Sequence, residues 1–333
     1  MDIVIVLVVA AALAFEFING FHDTANSIAT TVYTKALPVA GAIALAAIMN
    51  FTGAFISEGV AQTISKGLIS ASLDDYVILA ALLGAIVWNL FTWWRGIPSS
   101  SSHALIGALI GASIAYTAGL GGIIWSGVLQ KVVIPMFTSP LIGFVMAFFV
   151  MKLICLLCAR LNHRRTSRVF SKLQILSAAA VAFAHGTNDA QKTMGIITLA
   201  LITSGLLHGE AANHIPLWVK ITCAATMAAG TSAGGWRIMR TMGHGVTKLD
   251  SVRGFAAETT SAIVIQVMTA LHAPISTTQA ISSAIMGVGS AQRLSAVKWT
   301  KARDIAMTWV YTLPFSMLFG AVFVFVIRFF IGA

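Results

Sequence analysis

The chain has 333 residues, 58% of them hydrophobic and 10% charged, with a mean hydropathy of +0.88. A soluble domain carries about 25% charged residues, so this composition excludes a water-soluble core and makes the bilayer the natural solvent. The net charge of +10 does not signal nucleic acid, because the basic residues sit in short loops between apolar runs, where they face anionic lipid.

In chain order, membrane spans are expected near 3–33, 37–57, 77–95, 100–117 and 138–159, then near 173–203, 217–235, 255–271, 275–291 and 305–331. Each approaches or exceeds the roughly 20 residues needed to cross. Residues 1–14 end in Ala12-Leu13-Ala14, which imitates a leader-peptidase site. They lack a positive leading region and carry Asp2, so an uncleaved first membrane helix is expected. Cys155 and Cys158 form a C-x-x-C at the end of the fifth run. Without a βαβ context they read as small core residues on one helix face, and no disulfide framework is expected.

Segment 160–172 is the most basic and polar stretch, and is expected to be a cytoplasmic linker. It divides the chain into a first transmembrane repeat, 1–159, and a second, 173–333. Counting crossings from this linker puts Lys35, Arg95, Arg237, Arg240, Lys248, Arg253, Arg293, Lys298, Lys301 and Arg303 inside. It puts Asp74, Asp75, the 208–214 loop and both termini outside. An odd number of spans per half forces opposite topology on the halves, as in the inverted repeats of many secondary transporters.

Two internal echoes support that reading. Phe17-Ile-Asn-Gly20-Phe-His-Asp23 matches Phe183-Ala-His-Gly186-Thr-Asn-Asp189. Pro98-Ser-Ser-Ser-Ser-His-Ala104-Leu-Ile-Gly-Ala108-Leu-Ile-Gly111 matches Pro274-Ile-Ser-Thr-Thr-Gln-Ala280-Ile-Ser-Ser-Ala284-Ile-Met-Gly287. The fold expected is an all-α polytopic membrane protein of two inverted-topology repeats with broken helices.

Asp23 and Asp189 lie within apolar stretches, where an acid costs about 2.5–3.5 kcal/mol on insertion scales. One such residue could cap a broken helix, but a matched pair points to function. Gly20 and Gly186 are expected to let the chain unwind just before each aspartate. If helix resumes there, Asn26 lies one turn from Asp23, and Lys192 lies one turn from Asn188 and Asp189. His185 faces Asp189 only if that turn stays helical.

Pro98 and Pro274 fit helix starts. Ser99, Ser100, Ser101 and Ser102, and Ser276, Thr277 and Thr278, then fall in first turns, where free amides and the helix dipole favour an anion. Small polar residues also pack helices together, but the symmetric pair favours ligand binding. For Glu258, entering an apolar run, functional and structural roles balance. Gln62 is a further polar candidate, Glu58 reads as an exposed loop-end carboxylate, and Trp93, Trp94, Trp236 and Trp299 read as interface anchors.

Gly20-Phe-His-Asp-Thr-Ala-Asn-Ser27, His185-Gly-Thr-Asn-Asp-Ala-Gln-Lys192 and the two Pro-Ser/Thr segments resemble the inorganic phosphate transporter (PiT) family. So do Gln62-Thr-Ile-Ser-Lys-Gly67 and Gly234-Gly-Trp-Arg-Ile-Met-Arg-Thr-Met-Gly243, and the likeness covers nearly the whole chain. It implies phosphate uptake coupled to a cation gradient, with Ser/Thr-rich helical hairpins in each repeat. On that basis Asp23, Asn26, Asp189 and the Ser/Thr turns look like substrate and coupling-ion ligands. His185 and Glu258 match positions of functional interest.

The sequence departs from the sodium-coupled pattern, which tends to carry Asn-Asp-Val-Ala-Asn in both halves. Here the first half reads His22-Asp-Thr-Ala-Asn26, the second has Gln191 and Lys192 where Ala-Asn is expected, and Gln62 replaces Glu. The pattern is similar to bacterial low-affinity permeases that use protons and carry metal–phosphate complexes. Lys192 would supply fixed positive charge in place of sodium, with Asp23 or Asp189 carrying a proton.

The expectation is therefore a plasma-membrane symporter working by alternating access, not an enzyme. It needs no resident cofactor: the coupling cation is H+ or Na+, and a divalent metal is cargo travelling with phosphate. Inorganic phosphate and lipid are the expected partners, and a homodimer is compatible. The alternatives are a sodium-coupled symporter or a carrier of another oxyanion such as sulfate. An intramembrane hydrolase using Ser100 and His103 is disfavoured, because Gln279 stands at the matching position of the second echo.

Overall fold

Hydrocarbon offers backbone amides no water, so a spanning chain must satisfy them within its own helices. A computed structural model describes residues 3–69 and 73–331. Asp2, used in the first-helix argument, lies outside them, as do the terminal residues whose side was assigned by counting. Among the described residues the regular structure is helical, apart from one isolated bridge between Ile69 and Ile123.

The first half contains α1 (Ile3–Tyr33), α2 (Val39–Gly53), α3 (Gly59–Lys66), α4 (Asp75–Arg95), α5 (Ser101–Thr117) and α6 (Trp125–Cys158). The second contains α7 (His163–Thr203), α8 (Leu217–Ala233), α9 (Trp236–Gly245), α10 (Ser251–Ala270), α11 (Thr277–Gln292) and α12 (Trp299–Ile331). The order of long and short helices is the same in both halves. Packing between them is reciprocal: α1 lies on α8 and α7 on α2, while α5 lies on α12 and α11 on α6. The outer faces of α6 and α12 carry exposed Leu156, Leu157, Phe329 and Phe330, a lipid-facing surface.

Five helices, α1, α4, α6, α7 and α12, are long and apolar enough to cross a membrane. Among the described residues the other expected spans form helices that are shorter or less apolar. Helices α2, α5, α8 and α11 have only 15–17 residues. The interruptions between α2 and α3, and between α8 and α9, are the broken helices. At the second, Gly234 takes φ +77, a left-handed conformation that ends α8.

The expected unwinding at Gly20 and Gly186 does not occur, because α1 and α7 run unbroken through both. These glycines serve close helix crossing instead. A Cβ on Gly20 would lie 2.5 Å from the Met227 carbonyl oxygen and 3.0 Å from Gly230 Cα, both backbone atoms of α8. Gly186 meets Asn50 of α2 in the same way. Gly20→Ala is therefore expected to force two main chains apart and destabilise the protein by about 1–3 kcal/mol, an overpacking cost. Gly121→Ala, where nothing lies within 4 Å, is the control. Thermal unfolding of detergent-solubilised protein checks this; equal melting temperatures would contradict it.

Two further expectations are corrected. Segment 160–172 is not a loop, since Asn162 caps α7 by accepting from the Arg164 amide and helix begins at His163. Cys155 is exposed and Cys158 half-exposed on the outward face of α6, so they are not core residues; both thiols are free.

Candidate functional site

The middle of α1 carries Asn19, His22, Asp23 and Asn26, and the middle of α7 carries His185, Asn188, Asp189 and Lys192. All are at most 3% exposed in a helix pair otherwise suited to lipid. The starts of α5 and α11 come in from the side. In each, a serine ends an extended entry and caps the helix, Ser100 accepting from the His103 amide and Ser276 from the Gln279 amide. Each cap satisfies one amide. The first two amides of each helix have no intrahelical partner, and they sit where the dipole is positive.

Around Asp23, Ser101 Oγ lies 2.7 Å from both Asp23 Oδ2 and Asn19 Oδ1 and shares its proton between them. His22 Nδ1 lies 2.8 Å from Asp23 Oδ1, and its Nε2 meets Thr92, which also accepts from Ser99. From the other half, Thr278 reaches Asp23 Oδ1 at 3.4 Å, and Asn26 donates to Thr278 at 2.9 Å and Thr277 at 3.3 Å.

Around Asp189, Lys192 Nζ donates to Asp189 Oδ1 at 2.6 Å, to the Ile275 carbonyl at 2.8 Å and to the Ser102 hydroxyl. Thr277 reaches Asp189 Oδ2 at 3.4 Å. Asp23 is thus served by the helix starts of both halves, whereas Asp189 is reached by the start of α11 and its partner Lys192 by Ser102 of α5. Asn188 turns aside to Thr269 and the Ala273 carbonyl, holding the entry to α11.

Because α7 stays helical, His185 faces Asp189, with Nε2 3.4 Å from Oδ2. Its Nδ1 is 3.1 Å from Asn50 Oδ1, while Asn50 Nδ2 donates to Thr231. With Nδ1 donating to Asn50, a neutral ring would turn the lone pair of Nε2 toward a carboxylate oxygen. A proton or metal cation between them would remove that conflict. Asp23, His185 and Asp189 offer ligand atoms within 4.8 Å of one another, a donor set that suits a cation.

Glu258 does not join this cluster. It accepts from Thr31 at 2.7 Å, Gln174 at 3.2 Å, Ser177 and Thr30, forming a separate buried network. Glu58 is less exposed than expected, paired with Lys220 and accepting from the Ile215 amide. Gln62 donates to the Asn213 carbonyl. Trp94, Trp236 and Trp299 are exposed, whereas Trp93 is partly buried beside Phe21 and beneath Arg237. His103, the hydrolase candidate, has two buried ring nitrogens without partners, and Ser100 bonds its amide rather than its ring.

Residue-by-residue reading missed Asn19, His22, Thr92, Asn50 and Glu16. A signal was present: positions 16, 19, 23, 26 and 30 of α1 are Glu, Asn, Asp, Asn and Thr, one polar stripe at alternating steps of three and four.

Unbroken and broken membrane helices from two halves, enclosing a buried cluster of charges, define a polytopic helical membrane protein. Residues 19–320 match the phosphate transporter family, and the chain belongs to it. Over 98% of its length it is 49% identical to the "Probable low-affinity inorganic phosphate transporter" of Bacillus subtilis (strain 168), covering 99% of that protein. Over 94% it is 48% identical to a protein of the same name from Rhizobium meliloti (strain 1021), covering 93% of it. Its fold matches a solved structure described as "The sodium-dependent phosphate transporter", with a TM-score of 0.90 over 98% of this chain and 100% of that one. At 23% identity that likeness concerns the fold alone. The relatives are named as transporters, in line with a transport rather than a catalytic role.

Proposed function

We propose that this chain imports inorganic phosphate by proton symport, alone or as a metal–phosphate complex, through alternating access between two inverted repeats in the plasma membrane. The basic end of α7 faces the cytoplasm and both termini face outside. The reciprocal packing of the halves supports the repeats, and the relatives' names support phosphate.

The observation that carries the mechanism is the charge balance of the site. Two carboxylates and one ammonium leave a net formal charge of −1 when both histidines are neutral. Such a site does not accept an anion until a cation has entered. A proton on Asp23 or on the His185–Asp189 pair, or a metal ion held by those residues, supplies the missing charge. Phosphate then meets the ammonium of Lys192, the hydroxyls of Ser101, Ser102, Thr277 and Thr278, and the positive ends of α5 and α11. Phosphate binds only a site that a cation has already entered, and this order of binding couples the two fluxes.

Lys192 favours protons over sodium, since a fixed cation already stands beside Asp189. The sodium-dependent description of the neighbouring fold keeps the second reading in play. Proteoliposomes separate them: radiolabelled phosphate is expected to accumulate under an inward proton gradient at fixed zero sodium, and to collapse with an uncoupler. Accumulation driven only by sodium would reverse the assignment. Arsenate is expected to compete and sulfate not, because a protonated tetrahedral oxyanion can donate to Asp23 or Asp189. Equal competition by sulfate would remove phosphate selectivity.

A further inference from the structure

Glu16 lies on α1 two turns before Asp23, about 10 Å along the axis. It is fully buried. One carboxyl oxygen meets the Thr193 hydroxyl of α7, while the other, Oε1, has no hydrogen-bond partner. Among the described residues no cation pairs with it. The charged and titratable groups that act on it from neighbouring elements are Asp189 and Lys192 of α7 and the Cys223 thiol of α8.

A structural carboxylate deep in a membrane protein is normally fully bonded or ion-paired, because one bare oxygen is costly. Glu258 meets that standard with four donors; Glu16 does not. Nor does the fold require an acid there. In the first echo Glu16 corresponds to Ala182, itself buried, so the same helix position is filled elsewhere by a methyl group. Glu16 also begins the polar stripe: Asn19 is one turn on, and Ser101 links Asn19 to Asp23 by contacts of 2.7 Å each.

We propose that Glu16 is a proton-binding site for the coupling proton, taking it up and releasing it once per transport cycle. The step is the reversible protonation of the Glu16 carboxylate: the proton is drawn from the water on one side of the membrane and returned to the water on the other, so no other group need change charge. This inference rests on the proton-symport reading.

The test is Glu16→Gln, which keeps size and polarity but cannot release a proton, measured in proteoliposomes beside wild type. Proton-driven accumulation of radiolabelled phosphate is expected to fall by about tenfold or more, while phosphate–phosphate exchange at equal pH stays within about twofold of wild type. Glu16→Asp is expected to recover part of the accumulation. Wild-type accumulation in Glu16→Gln would overturn the proposal. So would equal loss of exchange and accumulation in both variants, which would mark Glu16 as a structural or substrate-binding group. Wild-type liposomes that respond to sodium but not to protons would instead defeat the symport reading itself.

Discussion

Asp23→Asn is expected to reduce phosphate uptake by a hundredfold or more while leaving folded protein in the membrane. The substitution keeps the shape and lets one oxygen still accept from Ser101, now 2.7 Å from Oδ2. It removes the charge that His22 contacts at 2.8 Å and to which the proposed mechanism assigns the coupling cation. Removing one member of a buried, hydrogen-bonded charge cluster costs about 2–5 kcal/mol of binding, and each 1.4 kcal/mol is about tenfold. Asp189→Asn is expected to abolish uptake as well, with a larger loss of stability, because Lys192 keeps only Ser102 and the Ile275 carbonyl. Uptake in proteoliposomes and monodispersity in detergent check both. Wild-type uptake in either variant would remove that aspartate from the mechanism.

Lys192→Met is the second large effect. The ammonium is 2% exposed and bonded three times. Its loss leaves Asp189 as an unpaired buried charge, a change worth about 3–5 kcal/mol in comparable pairs. Both melting temperature and uptake are expected to fall sharply. Combining Lys192→Met with Asp189→Asn neutralises the pair and is expected to restore much of the stability, because the two effects are coupled. Transport is not expected to return, since in the proposed mechanism Lys192 meets the anion and Asp189 the coupling cation. Recovery of uptake in the double variant would show that the pair is structural.

The membrane class, the two matched aspartates and the Ser/Thr helix starts were legible because each is a local signature. Apolar length, an acid inside it, and Pro followed by hydroxyls are read within a few residues. The family followed from the combination, and residues 19–320 carry it. Gly20 and Gly186 were legible as special positions but not in their role. A glycine that permits unwinding and one that permits contact look alike in sequence, and only the Met227 carbonyl 2.5 Å from a would-be Cβ distinguishes them. Glu16 carries no distinguishing signal when each acid is read alone. The stripe through 16, 19, 23, 26 and 30 emerges once α1 is continuous across Gly20.

Local patterning alone shows that the chain lives in lipid, that its halves echo one another, and which charges are too costly to be there without purpose. These properties depend on side-chain transfer energies and on neighbours within a turn or two. It took the folded arrangement to show that Thr278 reaches Asp23 across the halves, that Thr277 attends Asp189, and that Ser102 and the Ile275 carbonyl hold Lys192. That arrangement also decided that Glu258 lies in a network of its own. Those contacts join residues far apart in the chain, and their geometry is set by how closely glycine-lined helices cross, a distance that no local pattern encodes.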